Sequence, residues 1–132
     1  TLININDYQI NPSSFASKVE WHKLKDIEKL AFDHNKILLS SVNKLKKSVR
    51  TRPIGFELLP PKFTLTQLQL LYEAILDIKM DTRNFRKKIL QMKLLKDTGN
   101  LQENVSHRPA KLFQFNKKQY EILKNKGFNF EV

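Results

Sequence analysis

The chain has 132 residues, with 24 Lys and Arg against 13 Asp and Glu and no Cys. The absence of Cys excludes disulfides and thiolate metal sites, and a hydrophobic content of 40% is typical of a globular protein rather than a disordered one. Apolar runs of only a few residues exclude a transmembrane helix. The formal charge of +11 favours a polyanionic partner, with nucleic acid ahead of an anionic membrane or an acidic protein.

The amino-terminal segment has neither the basic start nor the apolar stretch of a signal peptide, and it lacks Met. We therefore expect the chain to be a fragment or a processed product. Residues 1–10 alternate apolar side chains with Asn and Asp, which predicts one or two strands. A turn or loop over residues 11–14 and a second short strand over residues 19–21 are predicted to follow.

A helix is predicted from Asp33, its N-cap, to about Val49. Phe32 and Ile37 occupy the positions of a hydrophobic staple. Its apolar stripe at helical spacing comprises Leu38, Val42, Leu45 and Val49. The residue before Pro53 is pushed out of the helical region, so the helix ends there and a domain boundary is expected near residues 50–60.

Residues 63–92 carry the strongest local pattern. Thr64 and Gln67 have the spacing of a capping box, with Phe63 and Leu68 as its staple. The helix that follows presents an apolar face of Leu65, Leu68, Leu71, Tyr72 and Ile75. Asp81 caps a second helix, which runs to Met92 and buries Phe85, Ile89 and Met92. Two capped helices joined by about four residues predict a helix-turn-helix unit.

The remaining segments predict two strands, at residues 94–97 and 111–115, separated by a long basic loop. A terminal helix over residues 117–126 is expected to end at Gly127. Helix, turn, helix, strand, loop and strand in this order predict a winged helix, and hence an α+β fold class.

The basic surplus is concentrated in the second helix of this unit. Residues 79–96 hold seven Lys and Arg and a single acidic residue, Asp81, which is a surplus of +6. With Phe85 at the centre of the buried face and about 100° per residue, one set of side chains points outward and a second lies on the flanks. The outward set is Arg83, Asn84, Lys87 and Gln91, and the flanking set is Arg86 and Lys88.

These residue types suit duplex DNA. Arg and Lys pair with guanine edges and Asn and Gln with adenine, while flanking cations neutralise phosphates. Lys93 and Arg108 are expected on phosphates, and the loop end with His107 and Arg108 on the backbone or the minor groove. Two alternatives stay open, a solvated basic face and a protein-binding winged helix, although the order of elements favours DNA. RNA or anionic-membrane binding is more remote.

Other chemistry has little support in the sequence. His22, Asp26, Asp33 and His34 match no metal-site spacing, and Gly occurs only at positions 55, 99 and 127, so there is no phosphate-binding glycine loop. We therefore predict no cofactor, metal or catalytic residue.

Five segments carry a resemblance to a known family. They are Pro-Ile-Gly-Phe-Glu-Leu-Leu-Pro at 53–60, Phe-Thr-Leu-Thr-Gln-Leu-Gln at 63–69, Leu-Tyr-Glu-Ala-Ile at 71–75, Asp-Thr-Arg-Asn-Phe-Arg-Lys-Lys-Ile at 81–89 and Arg-Pro-Ala-Lys-Leu-Phe-Gln-Phe at 108–115. Residues 53–116 closely resemble the C-terminal winged-helix domain of Nudix-related transcriptional regulators, the NrtR-type repressors and their sugar-responsive relatives in Bacteroidetes. The resemblance implies a winged-helix domain at 53–132 after a Nudix-domain remnant at 1–52 of short strands and one helix.

The same resemblance implies a function. It implies sequence-specific binding to double-stranded operator DNA in the bacterial cytoplasm, by homodimers and without membrane contact. An ADP-ribose-like nucleotide or a sugar would act as effector through a Nudix region upstream of Thr1. The Nudix box, a Gly followed by an Arg-Glu-x-x-Glu-Glu helix, does not occur in the sequence, so we expect no enzyme. The alternative is a fragment of a Nudix hydrolase, an ADP-ribose or related pyrophosphatase, with an accessory winged helix.

Overall fold

The computed structural model describes residues 9–132, which divide into two units, the first ending at Asn43 and the second running from Lys44 to Val132. The strands predicted over residues 1–10 lie almost entirely outside this range. The predicted domain limits of 1–52 and 53–132 stay a prediction.

The second unit has the predicted order of elements. The helices of the described residues are α1 (His34–Thr51), which begins in the first unit, α2 (Leu65–Leu76), α3 (Thr82–Gln91) and α4 (Lys117–Asn125), and the strands are β1 (Leu95–Leu101) and β2 (Lys111–Phe115). Short 3-10 helices cover Leu24–Asp26 and Pro53–Leu58. β1 and β2 form a two-stranded antiparallel sheet directly after α2 and α3. The winged helix and the α+β fold class are therefore confirmed.

The strand predicted over residues 19–21 is wrong, because residues 9–33 contain no strand. A strand needs a neighbouring strand that pairs with its backbone groups, and the described residues of the first unit contain none. The alternating side chains pair with one another instead. The Glu20 carboxylate contacts both the Lys18 ammonium and the His22 ring.

The start of α1 differs from the prediction in its side chains. The Asp33 carbonyl accepts the Ile37 N–H at 3.1 Å, as an N-cap residue does. The staple is wrong, because Phe32 has a φ of 53° and is 96% exposed, and Ile37 is also exposed. The apolar stripe is confirmed further along the helix, where Val49 is fully buried.

The capping box of α2 is confirmed in both directions. The Thr64 hydroxyl accepts the Gln67 N–H at 3.1 Å, and the Gln67 side chain accepts the Thr64 N–H at 2.8 Å. Phe63 and Leu68, the predicted staple, are both buried. The start of α2 is therefore defined by side chains that are close in sequence.

The sheet is longer than predicted, since β1 continues to Leu101 and the loop shortens to residues 102–110. The pairing has an irregularity between Asp97 and Leu101, next to Gly99 with a φ of 72°. A glycine tolerates this conformation without the steric cost of a Cβ. The predicted 94–97 strand missed this extension because a glycine and an asparagine interrupt the alternation.

The core of the second unit is closed by the segment that follows α4. Phe56 stacks on Phe115 with ring centroids 4.4 Å apart and meets Phe130 edge-on. The Val132 N–H donates to the Arg50 carbonyl at 3.1 Å, in the last turn of α1. α4 and the helix end at Gly127 are confirmed, whereas the packing of residues 128–132 was not expected from the sequence.

Candidate nucleic-acid interface

α3 is held by a cap and by two buried side chains. The Asp81 carboxylate accepts the Asn84 N–H at 2.7 Å, and Phe85 and Ile89 are buried at a spacing of one helical turn. Because these two residues fix which side of α3 faces the core, the other side is presented outward. Six predicted site residues are exposed on this helix: Arg83, Asn84, Arg86, Lys87, Lys88 and Gln91. We call these six residues the α3 polar face.

Arg86 on the flank of α3 also contacts α2. Its Nη2 donates to the Thr66 hydroxyl at 3.1 Å, across twenty residues of sequence. The guanidinium therefore lies beside the first turn of α2, where free backbone N–H groups already favour anions. A cation at this position is suited to a phosphate rather than to a base edge.

Lys93 lies directly after α3, with a φ of 55° in the left-handed region. Its N–H donates to the Leu90 carbonyl at 3.1 Å and so closes the helix end. The side chain is exposed, which adds one more cation two residues after the end of α3.

The two remaining predicted residues, His107 and Arg108, lie on a different element, the β1–β2 loop. Both are exposed. His107 Nδ1 lies 3.0 Å from the Arg108 carbonyl oxygen, a contact that needs the ring proton on Nδ1. The loop thus presents an imidazole and a guanidinium on neighbouring residues.

Sequence reasoning missed two features of this surface. Leu90 is 47% exposed on α3, about 140° from Phe85 by the same helical rotation that selected the polar residues. Lys111 on β2 pairs with Asp97 on β1 at 3.0 Å, and the Gly99 N–H and this Lys together hold the pKa of the Asp97 carboxyl below its usual range. Rotation would have found Leu90, whereas the ion pair depends on the strand register.

Within the described range, no group of three or more His, Asp or Glu is arranged to hold a metal ion. The same residues include no helix long and apolar enough to cross a membrane.

The segment that carries this surface is similar to a known family of proteins. Residues 55–115 match the model of the NrtR DNA-binding winged helix domain. The ADPR responsive transcriptional repressor NtrR of Acinetobacter baylyi is 32% identical over 123 residues, which are 92% of this chain and 48% of that protein. The chain therefore spans about half the length of this relative.

Two solved structures of Shewanella oneidensis NrtR are also similar. The complex with a 27mer DNA superposes with a TM-score of 0.59 at 26% identity, covering 77% of this chain and 43% of that one. The second structure, of NrtR itself, gives 0.59 at 33% identity, covering 76% and 46%. These relatives favour the regulator over the hydrolase alternative. The second unit of this chain therefore contains an NrtR-type DNA-binding winged helix domain.

Proposed function

We propose that this chain is the DNA-binding part of a bacterial transcriptional repressor, and that α3 enters the major groove. The observation that carries the proposal is the α3 polar face, four cations and two amides on one exposed, capped helix. A solved relative in complex with a 27mer DNA supports the same partner. Sequence would then be read by base-edge contacts from this helix.

The proposed contacts fall into two groups. Arg83, Asn84, Lys87 and Gln91 face the base edges, where bidentate hydrogen bonds distinguish guanine from adenine. Phosphate and backbone contacts come from Arg86, Lys88, Lys93, His107 and Arg108, which fix the register of the protein on the duplex. The Arg86 contact with Thr66 supports this division, because it holds the guanidinium at the edge of the helix pair.

The effector and the assembly belong to the same proposal. The A. baylyi relative is named as ADPR responsive, so we favour an ADP-ribose-like nucleotide over a sugar as effector of this regulator. Its binding site would lie in the Nudix region of the full-length protein. We further propose a cytoplasmic homodimer that binds two half-sites about one helical turn apart.

Selection of duplex DNA from a random pool with the full-length protein, at a stated salt concentration, tests this function. We expect an enriched motif with two related half-sites, bound far more tightly than random duplex. Addition of ADP-ribose should change the affinity for the selected site. If no motif is enriched, sequence-specific binding is refuted.

A further inference from the structure

The turn between α2 and α3 is contacted by two polar side chains of α2 that are almost removed from solvent. Gln69 is 8% exposed and the Glu73 side chain 9%. They lie one helical turn apart, so both side chains leave α2 on the same side. Buried polar side chains of this kind are costly unless their hydrogen bonds are made.

Their hydrogen bonds converge on the backbone of one residue of the turn, Met80. Glu73 Oε1 accepts the Met80 backbone N–H at 2.9 Å, and Gln69 Nε2 donates to the Met80 carbonyl at 3.1 Å. Gln69 Nε2 also donates to Glu73 Oε1 at 3.1 Å and lies 3.2 Å from the Thr82 hydroxyl. Both polar groups of Met80 are therefore bonded to side chains of α2, immediately before α3 begins.

The carboxylate form of Glu73 is favoured by these contacts. The Met80 N–H, followed by Gln69 and Lys79, holds the pKa of the Glu73 carboxyl below its usual range. Lys79 Nζ lies 3.4 Å from Glu73 Oε2 and is itself exposed. The acceptor that Met80 needs is thus present at neutral pH.

The other contacts that hold α3 are its cap and its buried apolar side chains. Asp81 caps α3, while Phe85 and Ile89 provide its buried area. The cap, the two apolar contacts and the hydrogen bond from the exposed Arg86 side chain to Thr66 stabilise α3, but they restrict its direction less than two buried hydrogen bonds to the backbone just before it. α3 has ten residues, about 15 Å, so a pivot of about 10° at its start moves its far end by about 2.6 Å. Base-edge hydrogen bonds do not tolerate such a shift.

We propose that Gln69 and Glu73 are positioning residues, which set the direction of α3 relative to α2 and so its fit to the bases. The predicted effect on DNA binding rests on the proposed function. The structural part of the inference, the angle between the two helices, is independent of any ligand.

Three variants separate positioning from stability. Glu73→Leu removes the acceptor, Gln69→Leu removes the donor, and Glu73→Gln keeps one oxygen that accepts the Met80 N–H. Val49→Ala is the control, because Val49 is fully buried on α1 and remote in sequence from the turn. For each protein, affinity for the selected site, affinity for random duplex and the thermal midpoint are measured.

We expect both Leu variants to bind the selected site about tenfold more weakly relative to random duplex, a loss comparable to one mismatched base pair. Glu73→Gln should restore most of the ratio of the affinity for the selected site to the affinity for random duplex. Val49→Ala should lower the thermal midpoint and leave this ratio unchanged. An unchanged ratio in both Leu variants, or an equal fall in Val49→Ala, would overturn the proposal.

Residual dipolar couplings of the 132-residue chain without DNA measure the α2–α3 angle directly. A changed angle in Glu73→Leu supports positioning even if the wild type selects no DNA motif, in which case only the proposed function fails. An unchanged angle refutes the inference while leaving the proposed function intact.

Discussion

The exposed cations of α3 differ in what they are expected to contact. Arg83 points away from the buried Phe85, while Lys88 lies on the flank of the helix. We expect Arg83→Ala to weaken binding to the selected site by about 1–3 kcal/mol and to relax the preference at one base position, since a bidentate contact is lost. Fluorescence anisotropy on the selected and mutated sites measures both effects.

Lys88→Ala should instead weaken all sequences alike and reduce the slope of log K against log salt by about 0.9, since one phosphate contact is lost. Lys118 on α4 is an exposed lysine outside the proposed interface, and Lys118→Ala serves as the matched control.

For the Arg83 prediction, an unchanged affinity of Arg83→Ala for the selected site would show that α3 is not the helix that contacts the bases.

Tyr72 shows a different residue-scale effect, that of a buried hydroxyl. Its side chain is fully buried, and its hydroxyl has no hydrogen-bond partner among the described residues. Burial raises the pKa of the Tyr72 hydroxyl well above its ordinary value. Unfolding exposes the group and lets it lose its proton at the ordinary pKa of about 10, so alkaline pH favours the unfolded chain.

We therefore expect Tyr72→Phe to keep or raise the free energy of unfolding at pH 7, because no hydrogen bond is lost. Above a pH of about 10, the variant should lose less stability than the wild type. Urea unfolding at several pH values measures this, with Tyr120→Phe, at a half-buried tyrosine, as control. Parallel curves for wild type and Tyr72→Phe would contradict the prediction.

At the scale of elements, the capping box of α2 has a measurable contribution. Thr64 is 2% exposed and exchanges two hydrogen bonds with Gln67. We expect Thr64→Ala to lower the free energy of unfolding by about 1 kcal/mol. Because the two bonds depend on each other, the double variant with Gln67→Ala should lose less than the sum of the single losses. Additive losses would show that the box is not a coupled unit.

Elements defined by nearby residues were predictable from sequence. The caps at Thr64 and Asp81 act over three residues, so spacing alone revealed the starts of α2 and α3. Features that need a distant partner were not. The strand expected over residues 19–21 lacks a neighbour, and the contacts of Gln69 depend on where Met80 lies after folding. The candidate site follows the same division, since rotation predicted which α3 side chains are exposed but not the Arg86 contact with Thr66.

For the whole molecule, the stability of the second unit depends on residues beyond the family match, which ends at residue 115. Phe130 is 3% exposed and belongs to the same core as Val49 and Phe56. We expect Phe130→Ala to destabilise the unit by about 3–5 kcal/mol, as for other buried aromatic side chains. Thermal unfolding followed by circular dichroism measures it. Phe15→Ala, at a fully exposed site, should have little effect, and equal effects of the two changes would contradict the packing.

The position of Phe130 also affects how the protein is made. During synthesis, Val49 and the helix-turn-helix leave the ribosome well before this side chain does. The core that unites Val49, Phe56 and Phe130 is incomplete until then. Domains generally fold as units, so the winged helix reaches its final packing only after residue 130 has emerged. A released chain that ends at residue 115 should therefore be sensitive to protease, although it already contains every proposed DNA-contacting residue.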